Sequence, residues 1–153
     1  MAYFIASDHA GFELKNRLRL SLRKDFDMTD LGVFVAERVD YPDIAIKLAK
    51  KVASSPENMG VLLCGTGIGM NIVANKVPGA RAALIYDGFT AKMARQHNNA
   101  NIACLGGRNT PEMMALMLVQ TFLKTEFLGN RKGEERHLKR VQKIGAIEKK
   151  HFK

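Results

Sequence analysis

The chain has 153 residues, 46% of them hydrophobic and 25% charged, with a formal net charge of +9. That length suits one domain with a sizeable core, and no apolar run approaches the roughly 20 residues of a membrane-spanning helix. Two cysteines make no disulfide framework and the start of the chain lacks the pattern of a secretion signal, so a reducing cytoplasm is the expected setting.

The basic excess is uneven. Residues 131–153 carry nine Lys and Arg against three Glu, leaving fifteen against twelve before them. With one aromatic in that tail, Phe152, the pattern argues against a single-strand nucleic-acid surface and for a helix that serves a small anion.

Residues 3–7 are a short apolar run ending in Asp8-His9-Ala10-Gly11, and Leu14, Leu18 and Leu22 then mark one stripe of a helix. A second strand is predicted over 28–33 and a polar loop over 37–43. Pro42 suits the first turn of the next helix, whose Ala45, Leu48, Ala49, Val52 and Ala53 keep helical spacing. After a break at 54–58, a strand over 59–63 leads into Cys64-Gly65-Thr66-Gly67-Ile68-Gly69. A fourth strand is predicted over 80–85, a helix over 89–96 running into His97-Asn98-Asn99, and a fifth strand over 102–105 with Cys104 in the core.

Thr110, Pro111 and Glu112 read as the N-cap, first position and first-turn acid of a long helix reaching Phe127. Its Met113, Met114, Met117, Leu118 and Phe122 are predicted to pack in the core. A last helix follows over about 131–150, with Glu134 and Glu135 early, Lys149 and Lys150 late, and Leu138, Val141, Ile144 and Ile147 marking a side buried against another surface, in the end a partner subunit.

Strands alternating with helices predict one domain over 1–153, a Rossmann-like three-layer α/β/α fold with a five-stranded parallel sheet and an added C-terminal helix. Strand C-terminal ends then share one edge, which collects Asp8, His9, the glycine turn and Arg108. His97 and Asn98 fall at the opposite end of their connection and reach this edge only from a second subunit.

The glycine turn carries the chemistry. Gly65, Gly67 and Gly69 let backbone amides converge on an anionic oxygen, and the helix start behind them favours the same charge. A cysteine thiol, with a reference pKa of about 8.5, ionises near neutral pH when a helix start or a cation is close, so Cys64 serves as a base or a nucleophile. The glycine spacing matches neither the dinucleotide fingerprint nor the P-loop.

With Asp8-His9-Ala10-Gly11, Glu37-Arg38-Val39-Asp40-Tyr41-Pro42, Cys64 to Gly69, Arg95-Gln96-His97-Asn98 and Arg136-His137-Leu138-Lys139-Arg140-Val141 in order, nearly the whole chain resembles the type B ribose-5-phosphate isomerases, within the ribose/galactose sugar-phosphate isomerases. The resemblance implies an aldose–ketose isomerase, free of metal and cofactor, that interconverts ribose 5-phosphate and ribulose 5-phosphate through an enediolate. It implies a homodimer, or a tetramer, with sites shared between subunits.

By motif, Cys64 is the base, Thr66 and the backbone of Gly65, Gly67, Ile68 and Gly69 hold the enediolate oxygen, and His97 opens the sugar ring. Asp8 and Asn98 bind hydroxyls, while His9, Arg108, Arg136 and Arg140 hold the phosphate. Tyr41 either flanks the sugar or forms a turn with Asp40, and Arg131 competes with Arg136. Met70 stands where some relatives carry a glutamate base, and His137 reads as structural. A six-carbon substrate such as allose or galactose 6-phosphate and a non-catalytic phosphate- or nucleotide-binding module remain the alternatives.

Overall fold

A computed structural model describes residues 1–151; Phe152 and Lys153 lie outside it. Five parallel strands, β1 (Tyr3–Ser7), β2 (Met28–Asp30), β3 (Met59–Cys64), β4 (Ala82–Leu84) and β5 (Ile102–Gly106), lie in the order β2-β1-β3-β5-β4. Helices α1 (Phe12–Leu22), α2 (Tyr41–Ala53), α3 (Ile68–Ala74), α4 (Gly88–Asn98) and α5 (Glu112–Lys124) alternate with and follow them, and α6 (Glu135–His151) comes after a single 3-10 turn at Leu128–Asn130.

The central strand β3 is buried along its whole length, which explains its continuous apolar run: a parallel strand covered on both faces has no solvent side to alternate with. Val61 and Leu63 face α1, α4 and α5, where Leu18, Ala91, Leu118 and Phe122 complete one core. Leu62 and Cys64 face α2 and α3, where Leu48, Val52, Met70 and Ala74 complete the other. Cys104 lies in that second core, and its complete burial pushes the thiol well up, so it packs as a neutral group. No helix among the described residues is long and apolar enough to cross a membrane.

Several boundaries depart from the sequence expectation. Strand β2 stops at Asp30 because Gly32 turns to φ 109°, although the Ser7 and Val33 amides continue bonding across to Gly32 and Ser7 at 2.8 Å. Strand β4 is confined to Ala82–Leu84, since Ala80 closes a turn onto the Val77 carbonyl. Pro111 rather than Thr110 occupies the N-cap of α5, and the helix ends at Lys124, where Thr125 takes an extended conformation and its hydroxyl bonds the Thr121 carbonyl. The last helix starts at Glu135, four residues later than expected.

The methionine reading of α5 is also corrected: Met113, Met114 and Met117 are 76%, 42% and 48% exposed, while Leu118 and Phe122 are buried as expected. The helix is apolar on two stripes, and Ala115, Leu118, Val119 and Phe122, at helical spacing, take the core side. On α6, Ile144 and Ile147 are exposed, so the stripe expected to be covered is uncovered within one chain.

Glycine allows the three central strand ends to touch. A Cβ at Gly11 would stand 2.6 Å from the Leu63 Cβ and 2.8 Å from its carbonyl oxygen, with rigid backbone behind it. Gly11→Ala is therefore expected to destabilise the fold by about 2 kcal/mol through overpacking, read as a lower midpoint in urea, and an unchanged midpoint would refute the close approach.

Candidate active site

Three connections meet at the C-terminal edge of the sheet. After β1, Asp8 is buried and its Oδ1 accepts the Ala10 and Gly11 amides at 2.9 and 3.1 Å, holding the turn that leads into α1. The adjacent His9 lines a polar cavity of about 380 Å³ with Ala36 and Gly107, and its Nδ1 is buried without a hydrogen-bond partner among the described residues.

After β3, Cys64 is only 5% exposed, and the Gly67 amide donates to its Sγ at 3.2 Å, fixing the sulfur inside the turn. That geometry requires a glycine: residue 67 sits at φ 80°, and a Cβ there would lie 2.8 Å from the Leu105 carbonyl carbon. Thr66 is exposed, and its Oγ accepts the Ile68 amide at 3.3 Å. Since α3 has seven residues, the turn's own amides, rather than a long helix dipole, are the donors at hand.

After β5, the Gly107 amide donates to the Cys64 carbonyl at 2.7 Å and the Arg108 amide to the Gly65 carbonyl at 3.1 Å. The Arg108 guanidinium crosses Gly65 so closely that a Cβ there would meet its Nη1 at 3.4 Å. Tyr41 opens α2, and its ring stands against Gly69, where an added Cβ would lie 2.7 Å from two ring carbons. This contact sets the Tyr41 ring beside the glycine turn.

A second polar cluster lies at the other edge, where α4 ends and α6 begins. The His97 and His137 rings stack with centroids 4.2 Å apart and planes within 7°. His137 is 2% exposed, with Nε2 3.2 Å from a Glu134 carboxylate oxygen. Burial first, then the neighbouring His97 and Arg136, push its pKa down against the opposing pull of Glu134. It therefore packs as a neutral ring.

Arg136 pairs with Glu134 at 2.8 Å, whereas Arg131 pairs with Glu126 at 2.8 Å in a separate cavity beside Arg95 and Asn99. Arg136 and Arg140, not Arg131, share the electrostatic surroundings of the histidine pair. Asn98 lines an apolar cavity of about 550 Å³ with Phe89, Met93, Ile144 and Ile147.

The strand-end edge thus brings together the connections of Asp8, His9, Cys64 to Gly69 and Arg108 that the sequence placed there, and Tyr41 joins them against Gly69. His97, Asn98, Arg136 and Arg140 form a second group at the far ends of their elements. His137 packs as the structural residue the sequence suggested, but its stack on His97, a contact between two helices far apart in sequence, leaves no local pattern to find it by. The Gly67-to-sulfur bond likewise depends on the fold of the turn and not on any sequence pattern.

Known proteins match this arrangement over nearly its whole length. The Clostridium thermocellum ribose-5-phosphate isomerase B structure superposes with a TM-score of 0.91 at 45% identity, covering 99% of each chain. The Mycoplasma genitalium ribose-5-phosphate isomerase B structure with bound ribulose-5-phosphate does so at 0.90 and 42%, covering 97% of this chain and 96% of that one. Ribose-5-phosphate isomerase B of Escherichia coli K12 is 37% identical over 144 residues, 94% of this chain and 93% of its own. Since the Ribose/Galactose Isomerase model also matches residues 3–144, the protein belongs to the ribose/galactose isomerase family.

Proposed function

We propose that this protein is an aldose–ketose isomerase interconverting ribose 5-phosphate and ribulose 5-phosphate through an enediolate, at sites each built from two copies of the chain. One observation carries the chemistry. Asp8 Oδ1 is committed to the Ala10 and Gly11 amides, whereas the Cys64 sulfur is held 3.2 Å from the Gly67 amide inside a turn suited to receive an oxyanion.

Cys64, as thiolate, takes the proton from C2 of the open-chain aldose and returns it to C1. Charge developing on the substrate oxygen meets the amides of residues 65–69 and the Thr66 hydroxyl, donors already oriented before the reaction begins. Asp8 and Tyr41 flank the sugar, and His9 and Arg108 take the phosphate, with the cavity at His9 supplying room. The partner subunit's His97 opens the ring, the partner's Asn98 binds a hydroxyl, and the partner's Arg136 and the partner's Arg140 close on the phosphate, a dianion suited to guanidinium forks.

The second copy is needed because the two groups lie at opposite ends of the sheet. Ile68 and Ile72, beside the glycine turn, are 50% and 55% exposed, while Phe89, Ile144 and Ile147 are exposed around the apolar cavity that contains Asn98. A two-fold pair sets one apolar patch against the other and each glycine turn against the other copy's α4 and α6 ends.

Direct assay on purified protein, with chelator present, tests the reading. Cys64→Ala is expected to lower kcat at least about a thousandfold while leaving ribose 5-phosphate binding by calorimetry within a few-fold, and retained turnover would remove Cys64 as the base. Arg140→Ala is expected to raise KM about tenfold; an unchanged KM would take Arg140 out of the site. If sites are shared, mixing the inactive variants Cys64→Ala and His97→Asn by co-expression restores about a quarter of wild-type activity, because statistical heterodimers carry one intact site. No recovery would assign each site to a single chain. Faster initial rates on allose 6-phosphate than on ribose 5-phosphate would move the substrate to six carbons.

A further inference from the structure

Among the described residues, Lys15 is the one buried lysine, with no exposed surface, and the isomerisation chemistry has no use for it. Its ammonium donates to Asp30 Oδ1 at 2.9 Å, to Asp30 Oδ2 at 2.8 Å and to the Val33 carbonyl at 2.6 Å. The rings of Phe12 and Phe34 stand 5.5 Å from the nitrogen. Three donors thus meet three acceptors under an aromatic cover. The Asp30 side chain, 7% exposed, is equally engaged: Oδ1 also accepts the Gly32 amide at 2.9 Å, and Arg19 lies 3.7 Å from Oδ2.

Stability alone gives little reason for such a pair. Removing two charges from water costs about what their attraction returns, and apolar replacements of buried pairs are often neutral or stabilising. What the pair adds is direction. It ties α1 to the first residues of the connection between β2 and α2, and the same residues bond β1 through the Ser7 amide to the Gly32 carbonyl and the Val33 amide to the Ser7 carbonyl, each at 2.8 Å.

Both ends of this arrangement lead to the site. Ser7 is followed by Asp8 and His9. Along the connection, Ala36, three residues beyond Val33, lines the cavity with His9, and the connection ends at Tyr41 against Gly69. Residues 34–38 are exposed, so little packing holds that wall apart from its anchored root. Lys47 adds a bond to the Leu31 carbonyl at 3.0 Å, again at the root and not at the wall.

We infer that Lys15 and Asp30 are positioning residues for substrate binding: their buried ion pair fixes the 31–40 connection as the wall of the sugar-phosphate cavity beside His9 and Tyr41. The inference rests on the isomerase reading for the identity of the ligand.

The test is the double variant Lys15→Met/Asp30→Asn, which removes both charges together and leaves an oxygen to accept the Gly32 amide. Amide hydrogen exchange over 31–40 is expected to rise at least tenfold with the strands unchanged, and KM for ribose 5-phosphate to rise about tenfold with kcat within threefold. A merely structural pair would lower the unfolding midpoint and leave the KM of the folded enzyme where it was. A folded double variant whose KM stays within twofold of wild type overturns the inference, whether or not exchange rises.

Phe34→Ala spares both charges and uncovers the ammonium from an exposed position. It is expected to raise KM about threefold, and should the double variant not fold, an unchanged KM in Phe34→Ala overturns the inference equally. An inactive wild type would remove the isomerase reading, and the exchange rates together with the calorimetric Kd for ribose 5-phosphate would then judge the wall on the same thresholds.

Discussion

The site depends on hydrogen bonds made between strand ends rather than within strands. Asp8 donates its amide to the Leu63 carbonyl at 3.1 Å, and Gly107 donates to the Cys64 carbonyl at 2.7 Å. These bonds carry the β1-β3-β5 pairing past the regular sheet and into the turns, so three connections that would otherwise be independent loops behave as one backbone surface. Side chains would prevent it: glycines at 11 and 107 let the neighbouring backbones touch, and Gly67 supplies both the left-handed turn and the amide that meets the sulfur.

The sequence was informative where function needs a residue type at a fixed spacing along the chain. The glycine turn, Asp8-His9 and the i, i+4 arginines on α6 are local patterns, and alternating strands and helices placed them on the correct ends of the fold. Boundaries were less legible because they were decided by tertiary bonds: Thr125 ends α5 with its hydroxyl on a carbonyl one turn back, and Gly32 ends β2 by a backbone turn that Asp30 and β1 hold from both sides. The α5 methionines misled because two apolar stripes satisfy the same helical period and only the sheet selects between them. Lys15 was silent for the opposite reason: a lysine in an amphipathic helix reads as solvated, and its partners at Asp30 and Val33 lie on another element.

Charge is distributed to the same end. The basic excess of the last 23 residues falls largely on α6, opposed at its start by Glu135, held below the usual carboxylate range by backbone amides, and by Glu134 just before it, paired to Arg136. In one chain Arg136 is thus partly neutralised, and Glu134 also faces the histidine pair. On the proposed reading, a phosphorylated sugar arriving at this helix would compete with Glu134 for the guanidinium. The exchange of a carboxylate for a dianion favours ligands whose second phosphate proton is already lost.

Helix α6 packs chiefly against α4 and the 3-10 turn, reaching the rest through contacts such as Glu148 on the Gly79 amide. It adds no strand and covers neither sheet face, so its loss would leave both cores closed. A helix attached in this way opens at a lower free energy than the sheet it rests on. Heat would then silence the enzyme before melting it: far-ultraviolet dichroism would keep most of its signal while turnover fell, and cooling would restore activity without refolding the core. If sites are shared as proposed, phosphorylated sugar bridging α6 to the glycine turn of another copy would raise the temperature of that first loss more than the temperature of global unfolding.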